Sequence, residues 1–234
     1  MMINNDLAPV LASGSPRRIE MLTTCGLKPQ VIPSAFAEVL PLPLLPHEQA
    51  MYFALGKAMD VAHKLAEESR NIPFGHTDPA TDPFVPSLAP LVPAPDSQVL
   101  SPALIIGCDT IVVFDGKVME KPKDKADGMT MLMALSGQTH QVISGVCLAG
   151  SVLNKQGNRV PLTKCFYEES HVTFATYSRE EMDAYLDTDE AYDKAGGYAI
   201  QGTFQKYITS FTGDRNNIIG FPLARFLKEI KEFG

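Results

Sequence analysis

The chain of 234 residues has no paired-cysteine motif, no excess of basic charge and no apolar run of bilayer length. Its four cysteines, Cys25, Cys108, Cys147 and Cys165, lie far apart and none stands in CxxC spacing. That excludes the usual zinc and thioredoxin-type arrangements and fits free thiols in a reducing compartment. Twenty basic against 27 acidic residues leave a formal charge of -7. With no basic stripe carrying interleaved aromatics, a nucleic-acid partner held by bulk charge is not expected, while a local positive pocket stays compatible. The longest apolar runs, such as Ala103 to Ile106 and Ile111 to Phe114, are strand-length, so no membrane partner is expected. Met1 to Asp6 lacks the basic and apolar regions of a secretory leader, and a cytoplasmic location is the expectation.

What is present is an ordinary globular composition, 45% apolar and 20% charged, on a chain long enough for a sizeable core. Pro9 to Ala12 reads as a short strand; Ser15 as N-cap, Pro16 as first helical residue and Gly26 as terminator then bound a helix. A second short strand falls at Gln30 to Pro33. Between Pro46 and Arg70, Met51, Ala54, Leu55, Ala58, Val61 and Leu65 recur at helical spacing. Residues 71–102 hold eight of the 18 prolines and no periodicity, which predicts an exposed insertion within a single domain spanning 1–234. Beyond it come a strand at Ala103 to Phe114, an Asp115-Gly116 hairpin returning through Lys117 to Glu120, and a helix from Lys125 to Leu135 closed by Gly137. Strands at His140 to Ala149 and Phe166 to Tyr177, joined by a turn at Asn154 to Asn158, precede a capping box at Ser178 and Glu181. The segment from Asp187 to Gly202 reads as loop, Lys206 to Phe211 as strand and Pro222 to Phe233 as helix. Helices alternating with strands and hairpins predict an α/β class with a mixed sheet.

Four segments carry chemistry. Ser13-Gly14-Ser15-Pro16-Arg17-Arg18 puts small residues and two guanidinium groups at a helix N-terminus, a setting that suits phosphate, although Ser-Pro-Arg also opens ordinary surface helices. Gly107-Cys108-Asp109-Thr110 places an acid inside an apolar strand, at a desolvation cost that a metal, a lysine or a turn must offset. Asp109 reads either as a cap at the strand's end or as a carboxylate able to bind Mg²⁺ and take a proton from water. In Glu120-Lys121-Pro122-Lys123, Pro122 stiffens the chain so that Lys121 can point into a cleft; the alternative is a solvated turn. From Asp193 to Gly202, small residues allow close backbone approach while Asp193, Lys194 and Gln201 supply acid, cation and amide; a simple glycine-rich turn is the other reading. The five histidines have no ligand spacing and read as surface or packing residues. Glu38, alone among apolar neighbours, reads as a surface or capping acid.

Six stretches in order resemble the Maf family of nucleoside triphosphate pyrophosphatases: Leu11 to Arg18, Gly107 to Val112, Glu120 to Pro122, Leu135 to His140, Asp193 to Gly202 and Gly220 to Leu223. The resemblance implies a mixed twisted sheet with flanking helices around a deep central cleft, a homodimer, and cleavage between the α and β phosphates of a nucleoside triphosphate. It implies Asp109 as the proton acceptor for water, and Glu38 and Asp109 as the carboxylates nearest a divalent cofactor, Mg²⁺ or Mn²⁺. It assigns Ser13, Arg17, Arg18, Lys57, Lys121 and Lys194 to the triphosphate, whose roughly four negative charges demand clustered cations. In relatives of the dTTP and UTP type, specificity tracks with residues matching Arg17, Thr110 and Gln201, and the branch acting on 7-methyl-GTP differs at the latter two. Pyrimidine nucleotides, canonical or modified, are therefore the expected substrates. Two departures stand out: many members carry two adjacent acids where this chain has Ala37-Glu38, and Cys108 replaces a smaller residue. A non-catalytic nucleotide-binding regulator of cell division is the alternative, since a fold does not by itself fix function.

Overall fold

A computed structural model describes residues 9–70, 104–153 and 159–233. The expected insertion at 71–102 and the turn at Asn154 to Asn158 lie outside the described residues. The first unit is a parallel β–α–β: β1 (Pro9–Leu11), α1 (Pro16–Thr24) and β2 (Gln30–Val31), with β1 paired to β2. Pro16 opens α1 as expected, Ser15 is extended but makes no side-chain cap bond, and Gly26 follows the helix at φ 90°, open to glycine at no steric cost. Helix α2 (Pro46–Arg70) matches its predicted span.

The second part is antiparallel. It runs β3 (Leu104–Phe114), β4 (Lys117–Met119), α3 (Lys125–Leu135), β5 (Thr139–Leu153), β6 (Arg159–Phe174), α4 (Arg179–Leu186), β7 (Ile208–Thr212), α5 (Arg215–Ile219) and α6 (Leu223–Glu229). The seven strands form one sheet in the order β2-β1-β3-β5-β6-β7, with β4 also on β3. The α/β class with a mixed sheet is therefore as the sequence predicts. β5 and β6 are longer than their apolar runs suggest, because 15 paired positions continue into polar sequence at both ends. The short α5 escapes periodicity at five residues and is set instead by Asp214, whose side chain accepts from the Asn216 amide.

β3 is buried on both faces, which explains its unbroken apolar run. Its odd-numbered residues Ile105, Ile111 and Val113 join clusters with Ala50, Ala54, Ala58 and Val61 of α2. Its even-numbered residues face the other way. Leu104, Ile106 and Cys108 pack with Met21 and Leu22 of α1 and Phe226 of α6, while Val112 packs with Leu132 of α3 and Met182 of α4. The sheet thus has α2 on one side and two separate helix groups on the other.

Candidate active site

Register fixes where the site can be. Along one edge β3 pairs with β5 from Ile105 to Val113. Along the other it pairs with β1 at Leu104 to Ile106 and with β4 at Val112 to Phe114. Between them, Gly107 to Ile111 have no strand partner on that edge among the described residues. The chain leaving β1 carries Ser13 to Arg18, and the chain leaving β4 carries Glu120 to Lys123, so both predicted rims diverge from this opening.

Asp109 sits in the opening, 7% exposed, and its Oδ1 accepts from Lys57 Nζ at 2.6 Å. Lys57 Nζ also meets Glu38 Oε1 at 2.6 Å. A lysine, then, offsets the buried acid. Burial pulls the Lys57 pKa down, but the charges and hydrogen bonds of Asp109 and Glu38 outweigh it and leave it above its ordinary value. The contact depends on α2 lying almost on the sheet. A Cβ on Gly107 would stand 2.0 Å from the Ala54 carbonyl oxygen, and one on Gly145 would stand 2.3 Å from the Ala50 backbone. Only glycine permits that approach. The segment bearing Glu38 is held on α2 by Asp60, whose Oδ2 accepts from Ser34 Oγ and the Ala35 amide at 2.8 Å each. Phe36 fits over Gly56, where a Cβ would collide with its ring at 2.3 Å. Glu38 is thus more than a lone surface acid.

Thr110 points to the opposite face. Its Oγ1 accepts from Arg18 Nη2 at 3.1 Å and donates to the Gly220 carbonyl at 3.1 Å. Arg18 further donates through Nε to Gly220 O and through Nη1 to Ser13 Oγ, both at 2.9 Å. Three of its five N–H groups are therefore engaged within the protein. Arg17 makes no such bonds among the described residues; its charge reaches Asp193, whose carboxyl, though raised by burial, is held low by Lys194 and then by Arg17. Arg17 therefore lies within electrostatic reach of the Asp193 segment.

The other rim is tied together. The Gly196 amide donates to the Glu120 carbonyl at 3.0 Å, and buried Pro122 packs against Gly197, where a Cβ would sit 3.1 Å from Pro122 Cγ. Exposed Lys121 and partly buried Lys194 thus share one rim. Lys194 Nζ donates to the Glu190 carbonyl at 2.7 Å and to the Asp193 carboxylate. Gln201 is exposed beside Gly202, which at φ 97° lies against Glu190.

Sequence reasoning missed Ser144, Asn217 and the Gly220 carbonyl. Ser144 lies opposite Thr110 in the β3–β5 register, a long-range pairing with no local signature. His140 is a packing residue, 2% exposed, with Nε2 2.6 Å from the Tyr198 hydroxyl. A concavity of about 430 Å³ beyond it, lined by Val113, Asp115, Gln138, His140 and His171 among others, includes none of the residues predicted for the site. Among the described residues no group of three or more His, Cys, Asp and Glu could hold a metal, and no helix is long and apolar enough to cross a membrane.

Known proteins resemble this chain over nearly its whole length. A dTTP/UTP pyrophosphatase of Bacillus cytotoxicus is 34% identical over 224 residues, covering 96% of this chain and 94% of that protein. One of Bacillus pumilus is 34% identical over 226 residues, 96% of each. One of Bacillus anthracis is 31% identical over 224 residues, 96% and 94%. Residues 9–233 match the family described as Maf-like protein, and with the ordered motifs gathered around one strand, the chain belongs to the Maf family.

Proposed function

We propose that this chain hydrolyses the α–β phosphoanhydride of dTTP, UTP or modified pyrimidine nucleotides, giving the monophosphate and pyrophosphate. The observation that carries the reading is the Lys57-bridged pair of Asp109 and Glu38 at the open edge of β3, between rims bearing Arg17 and Lys194. The relatives' names supply the substrate class. The triphosphate lies along the opening, which serves as the floor of a cleft. Arg17, Lys121, Lys194 and the free N–H groups of Arg18 neutralise its charge, with Ser13 beside them. Lys57 has a third N–H beyond the two given to carboxylates, so it orients Asp109 and still reaches a phosphate oxygen. Asp109 takes a proton from water as the water oxygen bonds to the α-phosphorus. The bond from that phosphorus to the bridging oxygen breaks, and pyrophosphate leaves with the electron pair. Gln201, exposed on the rim, reads the base edge through its amide; Thr110 tunes the choice from behind Arg18.

The residues fit a divalent cation of the kind that arrives with a nucleotide. Asp109 and Glu38 are hard oxygen donors meeting at one ammonium, and they would hold the ion together with the substrate phosphates. When bound, Mg²⁺ or Mn²⁺ would supply charge neutralisation on the phosphates. We further propose a cytoplasmic homodimer. The free cysteines suit a reducing compartment, and exposed Val39, Leu42 and Leu45 offer apolar area for a second copy; sedimentation at a monomer's mass would contradict the dimer. No observation favours a purely regulatory, non-catalytic role.

Product analysis tests the reaction. With dTTP or UTP and Mg²⁺, pyrophosphate should appear and EDTA should suppress it. Orthophosphate in its place would mean that a different bond is cut.

A further inference from the structure

Ser144 and Asn217 are fully buried polar side chains on the face of the sheet opposite Asp109. Buried hydroxyls and amides cost stability unless they are paired, and a small apolar residue would fill either place without that cost. Ser144 Oγ and Asn217 Nδ2 are paired, while Asn217 Oδ1 has no partner among the described residues, and the pairs form a chain. Asn217 Nδ2 donates to the Val142 carbonyl and to Ser170 Oγ at 3.0 Å each, which anchors α5 to β5 and β6. The Asn217 main-chain carbonyl lies 3.3 Å from Ser144 Oγ, and Ser144 Oγ is 2.9 Å from Thr110 Oγ1. Thr110 accepts from Arg18, and the Ser144 and Thr110 hydroxyls, with one proton each, share the contacts to each other, to Gly220 O and to the Asn217 main-chain carbonyl. Arg18 then reaches Ser13 at 2.9 Å. The line crosses α5, β5, β3 and α1 and ends on the segment expected to hold phosphate.

We propose that Ser144, seated by Asn217, is a positioning residue that acts through Thr110 to hold the Arg18 guanidinium in its phosphate-binding orientation. The proposal rests on the reading of this site as a triphosphate site. Thr110 has protein partners on every polar side that the structure describes, so its effect on substrate choice runs through Arg18 and not through direct contact with a base. Fixing three N–H groups of a flexible side chain leaves the other two aimed in one direction, and pre-ordering lowers the entropy lost when an anion binds.

The test is a double-substitution cycle read by calorimetry with inorganic pyrophosphate, alongside dTTP turnover by the unaltered protein. Ser144→Ala should weaken pyrophosphate binding about fivefold, the worth of one neutral hydrogen bond. In an Arg18→Lys background, where the ordered fork is gone, the same change should cost less than about twofold. Unchanged affinity in Ser144→Ala, or an equal loss in both backgrounds, would overturn the proposal, because a merely structural serine alters melting temperature without that coupling. Absence of pyrophosphate binding by the unaltered protein would overturn it as well. Binding without dTTP turnover would instead sink the hydrolase reading and leave the positioning role intact. Should Ser144→Ala not fold, Thr110→Val must show the loss and Thr110→Ser must restore binding.

Discussion

Asp109 and Lys57 occupy positions where each requires the other. The ammonium contacts two carboxylates while only 14% of the Lys57 side chain is exposed, so removing it leaves two acids facing each other. Lys57→Met should therefore cost about 3 kcal/mol in denaturant melts, the scale of an orphaned buried charge, and should lower kcat as well as stability. A Lys57→Met protein with unaltered stability would show that the pair is solvated. His140 gives a second prediction at this scale. Burial, with the charge of His171 adding to it, lowers its pKa from 6.5 to about 4. Above pH 6.5 the imidazole is neutral whether folded or unfolded; between 6.5 and about 4 only the unfolded chain takes up the proton. Stability should accordingly fall as pH drops through that window, by about 3 kcal/mol in all. Chemical denaturation of the parent and of His140→Gln from pH 7 to 4 checks this: the difference between them should shrink toward acid pH. A difference independent of pH would remove His140 from the account. The sequence shows Asp109 as a charge needing a partner, yet not which partner, because Lys57 lies 52 residues away on another element.

Elements were legible where the signal is local. The span of α2, the Asp115-Gly116 hairpin, the Gly137 stop and the Ser178–Glu181 capping box all follow from residues within one or two turns, and all are present. What was not legible is how closely α2 approaches the sheet. That distance is set by Gly107 and Gly145 meeting Ala50, Ala54 and Ala58, residues brought together only by the fold. It is also what carries Lys57 to Asp109. Gly145→Ala should push α2 outward, costing at least about 2 kcal/mol by overpacking, and should depress turnover more than the loss of folded protein explains. Wild-type activity in a folded Gly145→Ala protein would show that α2 can shift without moving Lys57. Strand lengths fail for a related reason: β5 and β6 extend through polar residues because each ladder partner is a neighbouring strand, not a hydrophobic face.

Across the whole molecule, one strand organises the site. β3 is shared by the parallel unit and the antiparallel meander, and Asp109 and Thr110 lie on its opposite faces at the gap between its two edge partners. Motifs far apart in sequence, among them Ser13 to Arg18, Asp109-Thr110 and Gly220, are in contact there, which is why their order could suggest the family while their spacing could not suggest the geometry. The net charge of -7 is no obstacle, since the potential in a cleft is set by the groups that line it and not by the total charge. The central claim is that Asp109 activates water at this opening. The measurement that tests it most directly is pyrophosphate release from dTTP by Asp109→Asn beside its parent, with nucleotide affinity determined on the same samples. The amide keeps an oxygen for Lys57 and removes the base, so turnover should fall by at least about a hundredfold while binding persists. Turnover near that of the parent, with the fold intact, would contradict the account.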